Sequence, residues 1–444
     1  MTASIPTSGR KLDDILSDLR AKGTSDTKWR EGRVFSLVYH ASEEHEQVVQ
    51  RAHAIYASAN LLNPMAFSGL KQIEREIIEM ASGLMHGPAS VVGTVTSGGT
   101  ESILCAVAAY RDRARRKKPW IVWPELVVPT TIHPAFDKAA HYFGVKLVKV
   151  PVGPDYRADV KAMAKAISWK TIAICASAPQ YAHGVVDPIE ELAALAKQKR
   201  IPMHVDACVG GFILPWLERL GRPMPRWDFR NAGVTSISAD LHKFGYAGKG
   251  ASVLLWRSID DMRHQIFVAT DFPGGIYASP TMIGTRPGGP IAAAWASLQS
   301  LGADGYLELA RKAAGAADRL RAGIRAIPGL ALVGDSDSTI VAYAAIGADV
   351  YALADRLEAR GWTVDRQQRP ASIHLTVTAN HAAIVDDYLR DLRAALDEVR
   401  ANPKLAKSGT APMYGMAAKM PVRRLVASNV RKVIADLYAP GAGS

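Results

Sequence analysis

Lys243 closes the run Ser236-Ile237-Ser238-Ala239-Asp240-Leu241-His242-Lys243, at the end of an apolar, serine-rich segment. A lysine held partly away from water loses affinity for its proton and becomes a nucleophilic amine that condenses with a carbonyl carbon. His242 beside it can donate a hydrogen bond to a phosphate; alone, such a pair is an ordinary surface loop. Asp206, in His204-Val205-Asp206-Ala207-Cys208, ends a second apolar run. A carboxylate there is costly to bury without a cationic partner, unless it caps a helix or pairs with an arginine. Thr96-Ser97-Gly98-Gly99-Thr100-Glu101 joins an apolar run to an amphipathic one. Gly98 and Gly99 let the backbone approach an anion, the helix start offers free N–H groups, and Thr100 adds a hydroxyl. A tight turn with a capped helix would look the same. His133, in Thr131-Ile132-His133-Pro134, can stack on a flat ring or simply open a helix.

The elements that position these residues follow from the hydrophobic pattern. Segments 91–96, 126–129, 145–150, 171–175, 203–205 and 251–256 read as short buried strands, and 100–117, 134–143, 159–167 and 188–199 as helices between them. Such alternation predicts a largely parallel sheet with helices on both faces. Catalytic loops belong at the carboxyl ends of its strands, where all four motifs fall. Taken together they fit one ligand, pyridoxal 5'-phosphate: a phosphate for the glycine loop and His242, a ring for His133, a pyridine nitrogen for Asp206 and an aldehyde for Lys243. A carboxylate facing that nitrogen makes the ring a strong electron sink. The chain order resembles that of the fold-type I pyridoxal-phosphate enzymes, of aspartate aminotransferase-like architecture.

The remaining chain suggests a helical N-terminal arm over 1–85, a large cofactor-binding domain over 86–300 and a small α+β domain over 301–444. Segment 271–290, rich in Gly and Pro, reads as irregular. A long helical pattern over 291–327 is interrupted at Gly302 and Gly315. Strands are expected at 340–344 and 372–377, and helices at 350–360 and from about 382. No internal repeat is visible.

Composition excludes several classes. Apolar residues make up 48% of the 444, which suits a packed globule rather than a disordered chain. The net charge of +12 favours anionic partners, but the one basic cluster, 111–118, lacks interleaved aromatics and reads as a solvated helix face, not a nucleic-acid site. Cys105, Cys175 and Cys208 form no metal-binding spacing and read as buried free thiols, which fits a reducing compartment. The N-terminal MTASIPTSGRKLDD has no apolar signal core, and no apolar stretch reaches the length of a membrane span. A cytoplasmic protein without metal is the expectation.

Longer motifs narrow the resemblance. The segments NLLNPMAFSGL from Asn60, TSGGTES, HPAFDKAA from His133, SAPQYAHGVVDP from Ser177, HVDACVGGF, SISADLHKFGYAGKG, SPTMIGTRPGG from Ser279 and APMYGMA from Ala411 resemble the sphingosine-1-phosphate lyases, relatives of the group II amino-acid decarboxylases. They reach across nearly the whole chain. The resemblance implies a mainly parallel seven-stranded sheet, a small C-terminal domain and a homodimer with shared active sites. It implies that Lys243 holds the cofactor as a Schiff base, Asp206 pairs with the pyridine nitrogen and His133 covers the ring. Gly98, Gly99, Thr100 and His242 would bind the cofactor phosphate, with Thr285 reaching that of the neighbouring subunit. Tyr181 would move a proton at the reacting centre. Lys249, Tyr39, Asn60 and Asn63 would face the substrate phosphate. Asn63 stands where the family often has histidine, and an amide cannot titrate near neutral pH. The reaction implied is retro-aldol cleavage of a phosphorylated sphingoid base, as by a sphinganine-1-phosphate aldolase. A pyridoxal-dependent amino-acid decarboxylase would share the cofactor residues but has no need of Lys249; a non-catalytic relative would have no need of Lys243.

Overall fold

The computed structural model describes residues 4–419 and 423–439, so residues 1–3 of the N-terminal stretch read above lie outside it. Seven strands make the central sheet: β1 (Val92–Thr96), β2 (Glu125–Pro129), β3 (Lys146–Val150), β4 (Thr171–Ser177), β5 (Met203–Asp206), β6 (Ser236–Ala239) and β7 (Ser252–Trp256). Their order is β1-β7-β6-β5-β4-β2-β3. Neighbours from β6 to β3 run parallel, and β7 runs antiparallel to both β6 and β1. This is the mainly parallel, seven-stranded sheet of fold type I.

Burial explains the strand sequences. Every residue of β4, β5, β6 and β7 is buried, because helices cover both faces; such strands read as continuous apolar runs rather than alternating ones. Edge strand β3 instead exposes Lys146 and Lys149, charges that discourage pairing with another chain. The polar residues inside are matched to one another: His204 of β5 meets the hydroxyls of Ser236 and Ser238 on β6 at 2.7 and 3.1 Å. The helix Ser68–Leu84 adds Leu70, Ile77, Ile78 and Ala81 to the core of this domain. Burying each leucine or isoleucine side chain of this set contributes about 1.5–3 kcal/mol.

Segment 271–290 is less irregular than its composition suggests. A hairpin forms between β8 (Phe267–Ala269) and β9 (Tyr277–Ser279), and the next helix already begins at Gly288. That helix, Gly288–Arg325, breaks at Gly302 (φ 56°, ψ −177°) as expected, but runs straight through Gly315. The cost of a helical glycine is only about 1 kcal/mol, and Ala313, Ala314, Ala316 and Ala317 around it are buried in the core. The small domain holds a second sheet of β10 (Leu330–Leu332), β11 (Ile340–Ala345), β12 (Asp365–Gln368) and β13 (Ala371–Thr376), in the order β10-β11-β13-β12.

Candidate active site

Registers of the parallel strands bring the four motifs together. Ser177 at the end of β4 pairs with Asp206 at the end of β5, which pairs with Ser238 of β6. Loops leaving these ends and those of β1 and β2 enclose a cavity of about 390 Å³. Gly98, Gly99, Thr100, His133, Tyr181, Asp206, His242 and Lys243 all line it. Residues as far apart in sequence as 98 and 243 therefore meet in one place.

The glycine loop leads into the helix Gly99–Lys117. A Cβ on Gly99 would lie 2.6 Å from Cys208 Sγ and 2.8 Å from Asp240 Oδ1, so only glycine fits where loop, β5 turn and β6 turn converge. Glu101 holds the loop from below: its carboxylate accepts the N–H of Ser97 at 2.6 Å and those of Met282 and Ile283 at 3.0 and 3.2 Å. The same residue thereby fixes the segment leading to Thr285. Glu74 fixes that segment's far side by pairing with Arg286.

Asp206 is 6% exposed. Its Oδ1 accepts the N–H of Cys208 at 3.0 Å, and its other oxygen has no protein donor among the described residues. His133 Nδ1 accepts the N–H of Ala135 at 3.1 Å, and His242 Nδ1 accepts that of Ala251 at 3.3 Å. Each ring therefore carries its proton on Nε2, the nitrogen left free to donate. Burial, with Lys249 and Lys243 nearby, holds His242 below its usual range despite the opposing pull of Asp240, so a neutral donor is available to a phosphate.

Lys243 departs from expectation. Its Nζ lies 3.0 Å from Asp240 Oδ2. Burial alone would lower its proton affinity, but Asp240 outweighs burial and raises it above the ordinary lysine range. The amine is thus held as an ammonium by its partner, not deprotonated by desolvation. Asp240 itself is buried, and its Oδ1 has no hydrogen-bond partner. It sits three residues before Lys243 within the motif, yet sequence reasoning assigned it nothing.

Tyr181 stacks on His374 with ring centres 4.2 Å apart, and its hydroxyl donates to Asp365 Oδ2 at 2.5 Å. Neither partner was foreseen. The Lys249 Nζ donates to the carbonyl of His242 at 3.2 Å and lies 5.2 Å from the centre of the Tyr39 ring. Burial by its surroundings and repulsion from Lys243 pull Lys249 down to about 8. Tyr39, packed edge-on against Phe244, and Lys249 stand beside the cavity rather than in its wall. Asn60 and Asn63 line no part of the cavity either; each uses its Oδ1 in a local turn, accepting from Leu62 at 3.1 Å and Met65 at 3.0 Å. Thr285 is exposed and lines no part of this chain's own cavity.

A pyridoxal-dependent decarboxylase conserved domain matches residues 1–346. Over 440 residues the chain is 41% identical to sphingosine-1-phosphate lyase of Dictyostelium discoideum, covering 98% of this chain and 82% of that protein. It is 42% identical to the Arabidopsis thaliana lyase, covering 96% and 79%. The chain belongs to the sphingosine-1-phosphate lyase family. The solved structure of the Burkholderia pseudomallei member superposes with a TM-score of 0.90 at 35% identity, covering 99% of this chain and 98% of that one. Glutamate decarboxylase of Lactobacillus brevis, at 21% identity and a TM-score of 0.78, shares the fold.

Pyridoxal 5'-phosphate is the cofactor of this family, and the residues present fit it. The Asp206 carboxylate, which lines the cavity with one oxygen free of any donor among the described residues, suits a protonated ring nitrogen. The Gly98–Gly99 backbone, the helix start and the His242 Nε2–H suit a phosphate. No helix among the described residues is long and apolar enough to cross a membrane.

Proposed function

We propose that this chain cleaves the C2–C3 bond of phosphorylated sphingoid bases, releasing a long-chain aldehyde and phosphoethanolamine. Identity to the lyases over nearly the whole of this chain, with the glycine loop, His133, Asp206, His242 and Lys243 lining one cavity, carries this reading. When bound, pyridoxal 5'-phosphate supplies an electron sink for the pair left on C2. Lys243 would hold its aldehyde carbon, Asp206 would keep a proton on its ring nitrogen and His133 would cover the ring. Gly98, Gly99, Thr100 and His242 would hold its phosphate.

Tyr181 faces the reacting centre and handles the 3-hydroxyl proton. Lys249 and Tyr39 sit beside Lys243 where an anionic group would arrive, and a lysine between Gly248 and Gly250 serves as a mobile point charge for a phosphate. Asn60 and Asn63 are assigned to the rim of a neighbouring site. Asn63 donates hydrogen bonds there and cannot act as an acid or base.

The working form is a homodimer with shared sites. The hairpin and the loops around Thr285 expose Phe267, Phe272, Ile276, Met282 and Met65, large apolar side chains of the kind that a subunit interface covers. Thr285 of one protomer then reaches the cofactor phosphate of its partner. Three buried free cysteines support a reducing, cytoplasmic setting.

Mass spectrometry of the products from a phosphorylated long-chain amino alcohol tests the reading. Aldehyde and phosphoethanolamine are expected. Carbon dioxide from free amino acids, with no aldehyde, would establish a decarboxylase instead.

A further inference from the structure

Tyr181 lies in the cavity wall, on the turn after β4, but its hydroxyl proton points away from the cavity to Asp365. Asp365 opens β12 in the small domain and is not part of that wall. Any group in the cavity therefore reaches this carboxylate through the phenol. Ser36 donates to the other carboxylate oxygen at 3.3 Å. His374, the register partner of Asp365 on β13, stacks against the Tyr181 ring and fixes its plane.

The charges around the pair leave the carboxylate unneutralised. Arg366, the next residue of β12, projects to the opposite face, as successive strand residues must. There it is engaged with Asp355 and Glu358, each at 2.6 Å. Burial pulls His374 down to about 4, so it is neutral near pH 7. Tyr39 is the other titratable group facing Tyr181, and burial pushes it up to about 12. Asp365 has no ion-pair partner among the described residues.

We infer that Tyr181 and Asp365 form a two-proton relay, with Asp365 the final acceptor for the proton of the substrate 3-hydroxyl. The inference rests on the lyase reading above and deepens it. The substrate O–H bond breaks and its proton passes to Tyr181 Oη, as the proton of Tyr181 passes to Asp365 Oδ2. The pair released on the substrate oxygen becomes the second bond of the aldehyde carbonyl, and the C2–C3 pair stays with C2. Tyr181 ends neutral, and Asp365 ends protonated.

A relay resolves a difficulty that Tyr181 has alone. Burial, then the charge of Asp365 and its hydrogen bond, raise the phenol's proton affinity above the ordinary tyrosine range. Phenolate is therefore scarce near neutral pH, and a phenol that keeps its proton is a poor base. Passing the proton on to a carboxylate avoids phenolate altogether. Asp365 acts only through Tyr181 and is in that sense a positioning residue.

The test compares wild type, Asp365→Asn, Tyr181→Phe and the double variant on a phosphorylated sphingoid base across pH. Asparagine keeps an acceptor for the phenol but cannot take its proton, and thermal unfolding confirms that the variant folds. For Asp365→Asn, kcat should fall by about 10²–10⁴-fold with KM little changed. The acidic limb of the kcat profile should flatten. The double variant should be no slower than Tyr181→Phe, because members of one unit are not additive. Calorimetry with a 3-deoxy analogue, which has no proton to relay, should give the same Kd for wild type and Asp365→Asn. Wild-type kcat with an unchanged acidic limb, multiplying effects in the double variant, or analogue affinity falling as far as kcat would each overturn the relay. If wild type itself releases no aldehyde, the lyase reading fails and the relay with it; if wild type cleaves and Asp365→Asn cleaves equally, only the relay fails.

Discussion

Lys243 and Asp240 face each other across 3.0 Å at the floor of the cavity, three residues apart on one turn. Burial pushes the Asp240 carboxyl up, but Lys243 and then His242 pull harder and hold it below its ordinary range. Lys243 is held above its own. A depressed carboxylate stabilises the fold above its unfolded pKa and loses that effect as pH falls. A raised lysine stabilises it below its unfolded pKa and loses that effect as pH rises. The pair's contribution should therefore form a plateau between about pH 4 and about pH 10.

Lys243→Ala should abolish turnover and borohydride trapping of the cofactor while the protein stays folded. In cofactor-free protein it should cost about 3 kcal/mol at pH 7, the low end for a broken buried pair, since a quarter of the Lys243 side chain is exposed. Urea unfolding should show this loss holding from pH 7 down to about pH 4 and shrinking below it, as Asp240 takes up a proton. A loss that stays the same below pH 4 would contradict the pairing.

Gly99→Ala tests the phosphate loop. The added methyl meets Cys208 Sγ and both Asp240 carboxylate oxygens inside 3.0 Å, and both side chains are short and buried. Overpacking of this kind costs about 1–3 kcal/mol, and relief must come from a shift of the loop. Cofactor affinity, followed by absorbance during titration of cofactor-free protein, should fall at least tenfold. Unchanged affinity would mean that the backbone of residue 99 does not approach the phosphate.

Much of this site was legible in the chain because parallel α/β folds bring strand ends together by rule. Asp206, Lys243, His133 and the glycine loop each ended an apolar run, so their convergence followed from topology. What remained hidden had no such signature. Asp365 stands in Asp365-Arg366-Gln367-Gln368, a strand with no apolar residue and so no alternation to read. It pairs along one edge only, with β13, and is held by backbone hydrogen bonds and ion pairs rather than by burial. Asp240 was in view but carried no role, because its effect on Lys243 is a matter of distance. The β8–β9 hairpin escaped notice because Gly274 and Gly275, read as loop residues, lie in its turn.

Lys249 should bind phosphate in a pH-dependent manner. It is held down to about 8, so in free enzyme its ammonium is lost as pH rises through that value. For phosphorylated substrate kcat/KM, which reports the free enzyme, should decline on the same limb. Lys249→Arg keeps its charge throughout and should remove that decline. Lys249→Ala should lower kcat/KM for phosphorylated substrate far more than for an unphosphorylated analogue. Equal losses on both would assign Lys249 to the protein's structure instead of to the substrate.

Thr285 gives the dimer a functional test. Glu101 and the Glu74–Arg286 pair fix its segment firmly, yet its side chain faces solvent and misses this chain's own cavity. If it serves the partner's site, Thr285→Asp should repel the partner's cofactor phosphate and inactivate the homodimer. Lys243→Ala inactivates the site of its own chain. Unfolding and refolding the two inactive variants together in equal amounts makes half the dimers hybrid, and in each hybrid one site combines an intact Lys243 with an intact Thr285 from across the interface. Activity should return to roughly a quarter of the wild-type level, as isologous pairing at random requires. Were Thr285 to act within its own chain, no site in the mixture would be complete and no activity would return.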